Sequence, residues 1–154
     1  MVIGGCVSIR TTGADTVTDV VAETQYNAVY GERMSTVRAD QVAFAASGSN
    51  PGVCNAGGRK QGCYDADVMV LKDLQAMLDA LGATPVPPRY VAADARLREA
   101  ITEDIRALGL RNKAIAENDQ AAWTEHKTVL EHGLALFQEA YQAFPADNRP
   151  QPEP

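Results

Sequence analysis

Apolar positions recur at three- and four-residue steps through most of this chain, the spacing of a helix with one buried face. The clearest run is 120–144, where Trp123, Lys127, Leu130, Leu134, Phe137, Tyr141 and Phe144 alternate by four and three. Lys127 is tolerated in such a seam because its stem packs while its amine reaches water. Residues 88–117 predict a second long helix, with a stripe through Tyr90, Ala93 or Asp94, Leu97, Ile101, Asp104 or Ile105, Leu108 and Ile115. Residues 65–81 predict a third, on Val70 or Leu71, Leu74, Met77 or Leu78, and Leu81. Residues 16–47 are more ambiguous. Val17, Val20, Val21, Thr24, Ala28, Met34, Val37, Gln41 and Ala45 fall near helical steps, although Val, Thr and Tyr favour strands. One long helix is expected there, kinked or broken near Gly31.

The punctuation agrees with this division. Ser47-Gly48-Ser49-Asn50-Pro51-Gly52 stops the first segment, and a glycine-rich loop over 48–65 follows. Asp65 suits an N-cap and Gly82 a C-terminal cap. Ala83 to Pro88 forms a stiff proline connector. Asn118-Asp119 is a turn in which Asp119 caps the last helix, and Phe144-Pro145 ends that helix. Such short links make consecutive helices antiparallel neighbours. The expected fold is all-α, an up-down-up-down four-helix bundle over 16–145. A tether over 1–15 precedes it and a proline-rich disordered tail over 146–154 follows.

Charge narrows the function classes. A net charge of −6 argues against nucleic acid, which demands a basic stripe. No apolar run approaches the roughly 20 residues of a membrane span. The three cysteines are Cys6, Cys54 and Cys63. Eight residues separate Cys54 from Cys63, and the flexible Asn55–Gly62 segment allows them to pair. A ring of that size contributes about 2.5–3 kcal/mol in the loop-entropy picture. Such a pair places the chain in an oxidising compartment and leaves Cys6 as the odd thiol.

Few constellations carry chemistry. A ferritin-like di-iron site needs Glu-x-x-His on two helices, whereas Trp123 and Val129 stand three residues before His126 and His132. The two histidines are six apart, so they point to different sides of a helix and cannot chelate one ion; both are expected at the surface or boundary. Glu99 and Glu103 share a face, but Arg96, Arg98 and Arg106 favour ion pairs over cation binding. No serine lies in a G-x-S-x-G elbow. Catalytic residues, metal ligands and cofactors are therefore expected to be none. Tyr90, Trp123, Phe137 and Tyr141 are core residues by spacing. They are also the candidate lining of a ligand groove if the bundle opens at one end.

Ile3-Gly4-Gly5-Cys6, with the Ala- and Arg-rich helices around Pro87-Pro88-Arg89-Tyr90-Val91-Ala92-Ala93-Asp94, resembles small extracytoplasmic lipoproteins of high-GC bacteria. That resemblance implies a lipid on Cys6 and a cell-envelope location, with a basic and apolar leader upstream of Met1. It implies no activity. The other reading of Cys6 is an ordinary thiol in a frayed terminus, which would leave the chain cytoplasmic or secreted. The expectation is a non-enzymatic, membrane-anchored binding or accessory module for a protein partner or small ligand, contacting the membrane through its lipid alone. The alternatives are a soluble accessory subunit, and a metal- or ligand-binding bundle or enzyme with a cryptic site.

Overall fold

The computed structural model describes residues 17–46 and 60–147. Within them the chain is all-helical: α1 (Val17–Ala46), α2 (Lys60–Ala83), a 3-10 turn (Pro88–Tyr90), α3 (Val91–Glu117) and α4 (Gln120–Ala143), with no strand. The 1–15 tether, the 47–59 part of the expected loop, and tail residues 148–154 lie outside the described residues. So do Cys6 and Cys54.

The four helices alternate in direction. The starts of α1 and α3 meet the ends of α2 and α4 at one pole, where Tyr26, Tyr90 and Phe144 pack edge to face or tilted. Ring centroids are 5.4 Å apart for Tyr26–Tyr90 and 5.3 Å for Tyr90–Phe144. Such pairs add to the stabilisation from area alone. Leu74, Met77, Leu81, Leu97 and Ile101 continue the core below them. Packing joins α1 to α2, α2 to α3 and, most extensively, α3 to α4, whereas α1 and α4 scarcely touch.

α1 is one continuous helix through Gly31, so the expected long helix is not broken there. A side chain at Gly31 would meet nothing, so the residue sits on the open face. Its cost of about 1 kcal/mol against alanine is offset by packing on either side, at Tyr26 and Val37. The expected stripe is also corrected. Val17 is 83% exposed and Val20 and Val21 are about half exposed. The buried line is Glu23, Tyr26 and Val37, with Tyr30 and Met34 partly covered. Both lines have helical spacing; Tyr26 wins because it offers a large ring and a hydroxyl for which α3 has a partner.

α2 begins five residues before the expected Asp65 cap, at Lys60, and Asp65 lies within it. At its other end Gly82 is helical and does not act as a left-handed cap. The final carbonyls, which every helix leaves without an internal partner, are taken by side chains and by the Thr84 N–H, which donates to the Leu81 carbonyl at 3.2 Å. Thr84 Oγ1 donates to the Ala80 carbonyl (2.7 Å) and Arg98 Nη2 to that of Leu81 (2.7 Å). Pro88 opens the turn ahead of α3, suited to a first helical position where its missing N–H is not needed. Between α3 and α4, Asn118 adopts the left-handed conformation (φ 53°). The Asp119 carboxylate accepts from the Ala121 and Ala122 N–H groups at 2.9 and 3.0 Å. Those bonds hold its carboxyl below the usual range. Asp147, in the expected tail, is paired with Arg89 at 2.5 Å.

Candidate functional site

α4 presents two unlike surfaces. Its fully buried positions are Ala122, His126, Val129, Gly133, Leu136 and Ala140, spaced by four and three. They face α3, whose Ala93, Ala100, Ala107 and Ala114 recur every seven residues and are all buried. Small residues on both helices allow a close approach. A Cβ on Gly133 would stand 2.7 Å from Asp104 Oδ1 and 3.7 Å from the Ala100 carbonyl oxygen. Of the expected seam Phe144 is buried as anticipated, but along α4 itself the buried line is one position N-terminal to the expected one. Trp123, Leu130, Phe137 and Tyr141 are only partly covered, Lys127 is exposed and Leu134 is 53% exposed.

That displaced stripe borders a groove of about 1080 Å³ between α4 and α1. Tyr30, Met34 and Arg38 form the α1 wall; Leu134, Phe137, Tyr141 and the polar Gln138, Glu139 and Gln142 form the α4 wall. Of the four aromatics proposed for a groove, Phe137 and Tyr141 therefore meet in one place. Tyr90 lies below it in the core, 0% exposed, its hydroxyl accepting from Asn27 Nδ2 at 3.2 Å. Trp123 is nearer the opposite pole, 5.5 Å from the His126 ring and 6.0 Å from Lys127 Nζ. Tyr30 and Met34 were not anticipated as lining, because nothing local in α1 reveals that α4 stops short of it.

Position of the α1 wall is set by a buried polar chain. Tyr26 donates to Asp94 Oδ1 (2.8 Å), Arg98 Nε donates to Asp94 Oδ2 (2.7 Å), and Arg98 reaches the α2 terminus as above. Burial first, then the bond to Asp94, pushes the Tyr26 phenol far up; Asp94 in turn raises Arg98. Three helices are tied through one carboxylate. Because both oxygens of Asp94 are committed, the group reads as a structural tie, not an acid or base.

A second buried cluster lies toward the other pole. Asp67 of α2 is 2% exposed, and Arg111 Nε of α3 stands 3.4 Å from its Oδ2. Burial raises the Asp67 carboxyl to about 6 against the opposing charge of Arg111. His126 is buried (8% exposed), further inside than the surface or boundary position expected for it. Its Nδ1 lies 2.9 Å from the Ala107 carbonyl. A carbonyl only accepts, so Nδ1 carries the proton and the neutral ring keeps Nε2 as acceptor. Burial, with Arg111 adding a smaller push, lowers its pKa. His132 is exposed, 3.9 Å from Glu103. Cys63 is buried against Ile115. Asp104 is raised to about 6 by burial alone, and among the described residues no donor reaches its Oδ1.

Glu99 pairs with Arg96 (2.8 Å) and Glu103 with Arg106 (3.6 Å), as ion pairs along α3. Among the described residues no three His, Cys, Asp or Glu side chains are grouped to hold a metal, and no helix is long and apolar enough to cross a membrane. No family model, curated protein or solved structure matches the chain.

Proposed function

We propose that this chain is a non-enzymatic binding module whose working surface is the α1–α4 groove, held outside the cytoplasm by a lipid on Cys6. The observation that carries the binding role is the inverted use of α4. The helix docks on α3 largely with small residues and leaves Leu134, Phe137 and Tyr141 beside an open space of about 1080 Å³. Ligand sites are concave, mostly apolar and edged by a few polar groups, and this groove has that composition. The anchored location rests on the Ile3-Gly4-Gly5-Cys6 pattern. A Cys54–Cys63 bridge closing the loop before α2 belongs to the same reading, and the deep burial of Cys63 at the head of α2 suits it.

Binding is tested with Nile red, an uncharged apolar dye. The chain should bind it saturably, and Leu134→Asp should abolish binding while leaving the circular dichroism spectrum unchanged. Absence of saturable binding by the native chain would sink the groove. Location is tested by expressing the gene with its upstream sequence under labelled palmitate. Label on the native chain and none on Cys6→Ser is expected; an unlabelled native chain removes the anchor. Intact mass with and without reductant should differ by the two hydrogens of one disulfide, and identical masses exclude it.

A further inference from the structure

The groove between α1 and α4 has walls of matching length. Tyr30 to Arg38 on α1 and Leu134 to Gln142 on α4 each run about 12 Å at the rise of an α-helix. Two helices side by side, each about 10 Å across, offer roughly 250 Å² over that length. A stable protein interface needs roughly 800 Å² per partner, so the groove suits a small molecule.

Its charges narrow the class of molecule. Met34, Leu134 and Phe137 supply apolar surface, and two ionised side chains, Arg38 and Glu139, border it. Each already has an interaction within the molecule. The Glu139 carboxylate stands 3.5 Å from Arg96 Nε of α3, and Arg38 has an interaction of its own. Gln138 and Gln142 bring neutral amides that both donate and accept, and burial raises the Tyr30 phenol. Taking a charge out of water without a counter-charge is costly. A ligand that recruited Arg38 or Glu139 would first have to displace what each already holds. A neutral ligand meets neither cost.

We propose that the groove takes an uncharged molecule of medium length, such as an aliphatic alcohol or ester, in preference to the acid or quaternary ammonium of the same tail. This rests on the binding role assigned to the groove above and adds the class of ligand.

The test is displacement of Nile red by four probes with one ten-carbon chain: decanol, methyl decanoate, decanoate and decyltrimethylammonium, each below its aggregation limit. Methyl decanoate keeps the carboxyl oxygens of decanoate and removes the charge. Both neutral probes should displace the dye at about tenfold lower concentration than either ion, a fraction of the cost of desolvating a charge. Gln138→Lys adds a cation to the α4 wall at an exposed position. Its helical neighbours at three and four residues, Leu134, Ala135, Tyr141 and Gln142, hold no carboxylate to pair with it. The variant should draw decanoate level with decanol and leave the ammonium weak. The probe series on the native chain stands without any variant, so misfolding of Gln138→Lys cannot mask the result. Equal displacement by neutral and charged probes, a preference for either ion, or an unchanged order in a folded Gln138→Lys would overturn the proposal. If Nile red binds and head-group charge makes no difference, only the ligand class falls. If Nile red does not bind, the groove's binding role falls and this inference with it.

Discussion

The two sides of α4 differ in a way that hydrophobicity alone does not foresee. Toward α3 the helix presents mainly alanine, glycine and valine, and there the packing is most extensive. Toward α1 it presents leucine, phenylalanine and tyrosine, and there the structure is open. Burial of apolar area is worth roughly 25 cal/mol per Å², which by itself would turn the larger side chains inward. Close packing decides otherwise. Interiors are filled to crystal-like density, and an alanine repeat on α3 lets a small-residue face of α4 approach closely, as at Gly133. A helix that meets its neighbour with small residues keeps its large ones for something else.

Breaking the tie that positions the α1 wall should have the largest effect. Asp94→Ala strands the Tyr26 hydroxyl and the Arg98 guanidinium, and should lower unfolding free energy by about 3 kcal/mol. Nile red affinity should fall with it as α1 loosens. Urea denaturation measures the first; an unchanged midpoint would show that the aromatic cluster alone fixes α1.

Adjacent residues on the two sides of α4 sharpen the contrast further. Gly133→Leu pushes into Asp104 and the α3 backbone, and should cost about 1–3 kcal/mol, as overpacking does. Leu134→Asp, one residue on, should change stability by no more than about 0.5 kcal/mol, as exposed positions do, yet remove dye binding. Equal stability losses at the two positions would erase the distinction between a packed and an open face.

The smallest effect concerns pH. Burial raises Asp104 to about 6, above its value of near 4 in an unfolded chain. Between those values the native state binds more protons than the unfolded one, so stability falls as pH rises from about 4 to about 6 and is level above. His126 acts in the opposite sense. Its lowered pKa means that the unfolded chain takes up a proton first, so its contribution is lost as pH falls below about 6.5. Comparison of Asp104→Asn with the native chain isolates the first effect. The variant should gain relative stability from pH 4 to 6, read as a growing difference in denaturation midpoint. A difference that does not vary with pH would mean that Asp104 is solvated, and the seam beside Gly133 looser than described.

Much of this architecture is legible locally. The helical segments, the stop at Phe144-Pro145, the proline connector and the Asp119 cap each depend on a few neighbouring residues, and they stand close to where spacing and cap chemistry put them. Register was harder. Trp123, Leu130, Leu134 and Phe137 form an apolar heptad, but so do Ala122, Val129, Leu136 and Ala140 one step earlier, and choosing by size selects the wrong one. The alanine series at 93, 100, 107 and 114 was the available signal for a close-packed partner. Gly82 failed as a cap because Arg98, sixteen residues away in sequence, already supplies a donor to the end of α2. The burial of Asp67, Arg111 and His126 left no mark in their local sequence.

The sequence by itself determined that this chain makes long amphipathic helices, where most of them stop, and which charges decorate them. Those properties follow from backbone preferences and contacts within one turn. Only the tertiary structure decided which of two neighbouring apolar faces enters the core, which charged residues are buried with it, and where a space remains. These depend on how two helix surfaces fit, and the fit belongs to the pair, not to either helix alone.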